Sequence, residues 1–311
     1  MTVPGRAPSP PGTRHAPPPV TFRPPRFGLD GSPFGGTADP DGDATALATI
    51  EAAYGAGIRF FDTAPEFGMG RSERRLGTAL ARHPRSEYLV STRVGSLVMP
   101  DGLRPDYSAA GIRRSLAQSL ERLGLESVDL VHISDPAEHW QQAIEEARPA
   151  LDELREQGVV RAIGVAMDQW QPLDRFIREA QVDAVLLSDQ YSLMDQSAEP
   201  LLHACLTRGV AAIVYGVQNP EVAWNGQPGD GGQARARKII AVCEQYGVSL
   251  PQAALAFPAR HPAVSSVLIS AASAAELRAY AALVRKPMPP ELWRDLEAQE
   301  LVTKTTTGLG G

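Results

Sequence analysis

Cysteine is almost absent: Cys205 and Cys243 are the only two in 311 residues. That excludes a disulfide framework, gives no metal-ligand spacing, and fits a reducing cytosol. No run of about 18 apolar residues exists, so no membrane-spanning helix is expected. No Lys/Arg run is long enough to track a phosphate backbone, and the net charge is −6, which argues against a nucleic-acid partner. The opening stretch MTVPGRAPSPPGTRHAPPPVTFRPP lacks the apolar segment of a signal peptide. Its proline density forbids helix and central strand, so residues 1–24 read as a disordered or extended tail. Residues 304–311 read as a second flexible end. Apolar residues make up 43% of the chain, enough for a sizeable core. The expectation is one domain over residues 25–303, located in the cytoplasm.

What is present is a regular alternation. Eight short apolar runs read as strands: RFGL, IRFFD, YLVST, VDLVHIS, VRAIGVA, AVLLS, AAIVY and SSVLIS. Between them lie longer stretches whose apolar residues recur at three and four, the helical period. Several end in glycine just before the next strand, at Gly57, Gly124, Gly158, Gly209 and Gly247, where a left-handed residue closes a helix. Strands that are apolar throughout and alternate with helices imply parallel strands covered on the outside, and eight such units best fit a closed (β/α)8 barrel. An open doubly wound sheet is the runner-up, but GLDGSPFGG does not match the glycine-rich phosphate loop it would carry. In a barrel the chemistry belongs at the C-terminal strand ends, which here carry Asp62, Arg93, Ser134, Ala166, Gln190, Tyr215 and Ser270.

The stretch AGIRFFDTAPEFGMGRSERRLGTAL resembles the aldo-keto reductases, closest to their bacterial aldose and fucose dehydrogenase branch. The resemblance continues through STRVGSLVMP, VDLVHISDP, VVRAIGVAMDQW, QYSLMDQSAEPLLHACLTRGV and GVSLPQAALAFPARHPAVSSVLIS, covering roughly residues 25–300. It implies a catalytic tetrad of Asp, Tyr, Lys and His. Asp62 matches. Phe67 stands where the resemblance expects the proton-donating Tyr, Arg93 where it expects Lys, and Ser134 where it expects His. It also implies a nicotinamide cofactor. Gln190 falls at its carboxamide-binding position and Tyr215 at the stacking aromatic. Ala166, Met167 and Asp168 replace the polar pair after the fifth strand. The phosphate and adenine clamp would follow the last strand, where Ser270, Ala272, Ala279 and Tyr280 leave Arg278 as the nearest cation.

These substitutions shape the expectations. Phe67 has no proton to give, and Arg93 stays cationic, so Asp62 and Arg93 read as a bidentate electrostatic clamp. His132 lies two residues before Ser134 and shares its face of the strand; it reads as a relocated acid/base or as a satisfied core histidine. Ser134 has no general base adjacent in sequence. Asp135 and Asp168 read as helix caps or carboxylate acid/bases, and Ser72 as the cap of SERRLGTAL. His139, Trp140 and Trp170, with Met167 beside them, read as the wall of a flat substrate pocket. The leading expectation is therefore a cofactor-free, non-redox enzyme: a lyase, dehydratase, isomerase or cyclase acting on a small natural-product-like molecule. The alternatives are an NADP(H)-dependent carbonyl reductase with a non-standard proton donor, using Gln190, Tyr215, Asp168 and Ser270, and a non-catalytic ligand-binding barrel.

Overall fold

A computed structural model describes residues 20–36, 39–218 and 230–304. Of the expected tails at 1–24 and 304–311, residues 1–19 and 305–311 lie outside the described residues. In chain order come β1 (Phe27–Asp30), β2 (Phe60–Asp62) and β3 (Leu89–Val94), then a hairpin of β4 (Ser96–Met99) and β5 (Gly102–Pro105). β6 (Val128–Ser134), β7 (Val160–Met167), β8 (Ala184–Leu187), β9 (Ala211–Val214) and β10 (Val264–Ile269) follow. Apart from the hairpin, these strands are parallel neighbours and close on themselves, with β10 pairing β1. This is the expected (β/α)8 barrel. The hairpin between β3 and the next helix was not foreseen.

The outer layer includes α1 (Pro40–Gly55), α2 (Arg71–Leu80), α3 (Ala109–Leu123), α4 (Arg148–Glu156), α5 (Trp170–Glu179) and α6 (Glu199–Arg208). α7 (Asp230–Gln245), α8 (Leu250–Ala256), α9 (Ala274–Leu283) and α10 (Pro290–Ala298) complete it. Gly124 and Gly209 cap α3 and α6 in the left-handed conformation, as their positions predicted. Among the described residues no helix is long and apolar enough to cross a membrane.

Strand alternation divides the core. Phe60, Leu130, Ala162, Leu186, Ile213 and Leu268 fill the barrel interior. Phe61, Val131, Ile163, Val185, Val214 and Ile269 point outward and pack under the helices. Register then carries one ring of inward positions to the C-terminal rim, with Asp30 beside Asp62 and Ser134 beside Ala166. The opposite end is closed by the chain itself. Phe22 is 2% exposed, its ring edge-on to Phe60 at 6.5 Å between centroids, and Thr21 Oγ1 donates to Asp183 Oδ1 at 2.7 Å. Residues 20–24 are thus a packed floor rather than part of a tail, because Phe22 finds an apolar hole at the barrel base.

Candidate active site

The loop leaving β2 carries Glu66 and Phe67 over the barrel mouth, and a local frame holds it there. Ser72 Oγ donates to Gly31 O at 2.7 Å and lies 2.8 Å from Thr63 Oγ1. Ser72 is therefore a tie between β1 and β2; Gly70, with φ of 75°, is the residue that caps α2. Asp135 and Asp168 are likewise not caps, since Pro136 and Gln169 occupy those positions.

Asp62, 1% exposed, accepts a hydrogen bond from Ser91 Oγ through Oδ1. Burial pushes its carboxyl up to about 7; Arg93 and the Ser91 bond pull the other way, while Asp30 and Glu66 reinforce burial. Arg93 does not grip Asp62 as a bidentate fork. Its Nη2 lies 3.8 Å from Asp62 Oδ2, whereas its Nη1 donates to Glu66 Oε1 at 3.1 Å. Its guanidinium carbon sits 5.0 Å from the centre of the Phe67 ring. Burial works against the Arg93 charge, but Asp62, Glu66, Tyr215 and Asp30 outweigh it and push its pKa up.

Glu66 is the residue that sequence reasoning missed. Besides Arg93 it accepts from Ser134 Oγ at 3.1 Å. It lies on an irregular loop, where no periodicity marks a side chain as inward. The only signal was its place beside Phe67 in the fingerprint. The backbone carbonyls of Ser134 and Asp135 both accept from the Tyr107 hydroxyl, which fixes the end of β6, and Tyr107 stacks on His139 at 4.9 Å.

His132 faces inward as expected, one layer below Ser134. It is fully buried, and the Val165 backbone is its polar neighbour. Burial, followed by Arg93, lowers its pKa to about 3, so it is neutral at pH 7. Gly164 makes the space it occupies, since a Cβ there would lie 2.4 Å from His132 Nδ1.

The pocket wall needs correcting. Met167 is buried in the outer, helix-facing layer, because it alternates with the inward Ala166. Trp140 donates through Nε1 to Glu179 Oε2 at 2.6 Å and packs edge-on to Phe176, within the helix layer. Trp170 packs against the same layer, and its backbone N donates to Gln190 Oε1 at 2.8 Å. Of the four, only His139 stacks on a ring tied to the end of β6, that of Tyr107.

On the other side of the mouth, Tyr215 packs against the interior cluster, its hydroxyl 3.4 Å from Asp168 Oδ1. Gln218 donates through Nε2 to Ser270 O at 3.0 Å, while its buried Oε1 has no partner. Gln190 is engaged at both ends of its amide, by Trp170 N and by Gln169 Oε1, so the flat Tyr215 ring and the Gln218 amide oxygen are what fit a planar carboxamide-bearing nicotinamide. At the start of α9, Ser273 Oγ accepts from Glu276 N, and Glu276 Oε2 accepts from Ala272 N at 2.8 Å. A carboxylate thus closes that helix end.

Comparison with known proteins agrees with this architecture. The D-threo-aldose 1-dehydrogenase of a Pseudomonas species is 35% identical over 84% of this chain and 89% of its own. The pyridoxal 4-dehydrogenase of Microbacterium luteolum is 32% identical over 89% and 94%. The NADH-specific methylglyoxal reductase of Escherichia coli is 29% identical over 81% and 87%. An aldo-keto reductase from Bacillus halodurans, solved in its holo form, shares the fold with a TM-score of 0.73 at 21% identity, covering 91% of this chain and 94% of that one. The expectation of a non-redox, cofactor-free enzyme is overturned here. The relatives that span most of the chain are dehydrogenases and reductases, and such enzymes need a hydride carrier. The match to the aldo/keto reductase family runs over residues 31–300, and the chain belongs to that family.

Proposed function

We propose that this chain is a nicotinamide-dependent oxidoreductase that interconverts a small alcohol and its carbonyl, of the aldose or aromatic-aldehyde class. The observation that carries this reading is the 35% identity with an aldose dehydrogenase across 84% of the chain. The mouth supports it. Tyr215 offers a stacking face, and Gln218 and Ser270 offer amide partners. When bound, the nicotinamide supplies or accepts the hydride.

The chain's own residues do the rest. Arg93 places a fixed positive charge where negative charge develops on the substrate oxygen. Asp62 and Glu66 hold that guanidinium from two sides. The Phe67 ring covers it and excludes water. Asp168 fixes the Tyr215 hydroxyl at the rim.

The charge at α9 selects between cofactors. The family resemblance places the phosphate and adenine clamp there, and Glu276 repels a 2′-phosphate while tolerating a ribose hydroxyl. NADH is expected to bind roughly 10-fold more tightly than NADPH, about 1.4 kcal/mol. Fluorescence titration of the purified protein with each, followed by absorbance assays with pentoses, hexoses and pyridoxal, tests the reading. Micromolar binding and nicotinamide-linked turnover support it. Absence of binding of either cofactor up to millimolar sinks it. Equal affinities would remove the role given to Glu276.

A further inference from the structure

We propose that Ser134 exchanges the proton with the substrate oxygen and that Glu66 is the base behind it. This rests on the oxidoreductase reading above. Oxidation of an alcohol removes two different hydrogens. The carbinol carbon loses a hydride to the oxidised nicotinamide, which is thereby reduced. The hydroxyl loses a proton, which the protein must accept. Phe67 has no site for it.

Other groups at the mouth are poorly placed. Asp62 is sealed beneath Arg93, 1% exposed and held by Ser91. Both His132 nitrogens are buried a layer deeper. Arg93 stays protonated at any working pH. The Tyr107 hydroxyl donates to two backbone carbonyls, and burial raises its pKa. Burial also raises the pKa of Tyr215, whose hydroxyl faces Asp168.

Ser134 and Glu66 remain. Ser134 ends β6 on its inward face and is half-buried, so the mouth reaches it. A lone serine hydroxyl holds its proton too tightly to pass it on. A base within hydrogen-bond reach, about 2.6–3.2 Å, changes that. Glu66 Oε1 lies 3.1 Å from Ser134 Oγ, and Arg93 Nη1, 3.1 Å from the same oxygen, orients it. The fold supplies the base that is missing around Ser134 in sequence, from 68 residues away.

In oxidation the substrate hydroxyl proton passes to Ser134 Oγ as the Ser134 proton passes to Glu66 Oε1. The carbon–oxygen double bond forms, and Glu66 later releases its proton to water. Reduction runs the transfer backwards, with Ser134 protonating the carbonyl oxygen and Glu66 resupplying Ser134. Arg93, Asp62 and Tyr107 are the charged or titratable groups within electrostatic reach of Glu66.

The test uses the full chain, Glu66→Gln, Glu66→Asp, Ser134→Ala and the Glu66→Gln/Ser134→Ala double variant. NADH affinity by fluorescence should stay within about threefold of wild type, because neither side chain lines the Tyr215 side. Turnover of the sugar and pyridoxal panel should fall about 10²–10³-fold in Glu66→Gln and in Ser134→Ala. The double variant should be no slower than either single one, as for residues acting as a unit. Glu66→Asp should recover part of the rate, and the acidic limb of kcat/KM against pH should vanish in Glu66→Gln. Independently of turnover, carbon-13 NMR of carboxyl-labelled glutamate should show a signal lost in Glu66→Gln whose chemical shift at pH 7 moves in Ser134→Ala. Cofactor binding and turnover by the wild type, with single variants near its rate or with losses that multiply in the double variant, overturn the dyad alone. Absence of cofactor binding by the wild type overturns the reading and the dyad together.

Discussion

Arg93 faces Asp30, Asp62 and Glu66, a surplus of acid around one guanidinium. Burial weighs on Asp62 first, and Asp30 and Glu66 add to it. Its pKa is raised from 3.8 to about 7 in the folded chain. Its stabilising contribution is therefore full below pH 4, declines as the pH rises towards 7, and is level beyond. Asp62→Asn should remove that decline. The variant should gain on the wild type between pH 4 and 7 by about 2–4 kcal/mol, at about 1.4 kcal/mol per pKa unit, as measured by urea unfolding across pH. A gap that does not change with pH would contradict the assignment. Much at this scale was legible: the strand ends marked Asp62, Arg93 and Ser134, and strand alternation put His132 on the same face as Ser134. Glu66 escaped because a loop has no period to read, and Met167 was misread because the inward position falls on Ala166.

The strand–helix units are tied by buried charge as well as by apolar packing. Glu73 of α2 is fully buried; it accepts from Thr92 Oγ1 of β3 at 2.7 Å and from Arg122 Nε of α3 at 2.5 Å. One carboxylate thus joins α2, β3 and α3. Glu73→Ala leaves Arg122, only 9% exposed at its side chain, without its buried partner. The expected loss is about 3–5 kcal/mol in denaturant unfolding. Gly164→Ala tests β7 against β6. Its Cβ would collide with His132, and a loss of about 1–3 kcal/mol is expected. The eight barrel strands were readable because each falls on a short, mainly apolar run set between helical stretches. The hairpin of β4 and β5 was not, because its residues are mixed in polarity and those of β5 are largely exposed.

Across the whole molecule, barrel closure does two jobs. It leaves no free edge among the eight strands, and it gathers the inward rim residues of separate units into one mouth. The floor completes it. Phe22→Ala should lower stability by about 3 kcal/mol, read as a drop in calorimetric melting temperature, because it opens a hole under Phe60. The barrel as a whole was legible from the count and spacing of its units. The floor was not, since a proline-rich approach says nothing about where its one phenylalanine lodges.

That floor sets a direction. The described chain begins at Val20, beneath the barrel, at the end opposite Arg93 and Ser134. A surface linker attached at Arg23, which is exposed on that floor, leaves from the underside. Anchored that way, the molecule stands mouth outward, with the rim that carries Arg93 and Ser134 open to the solution.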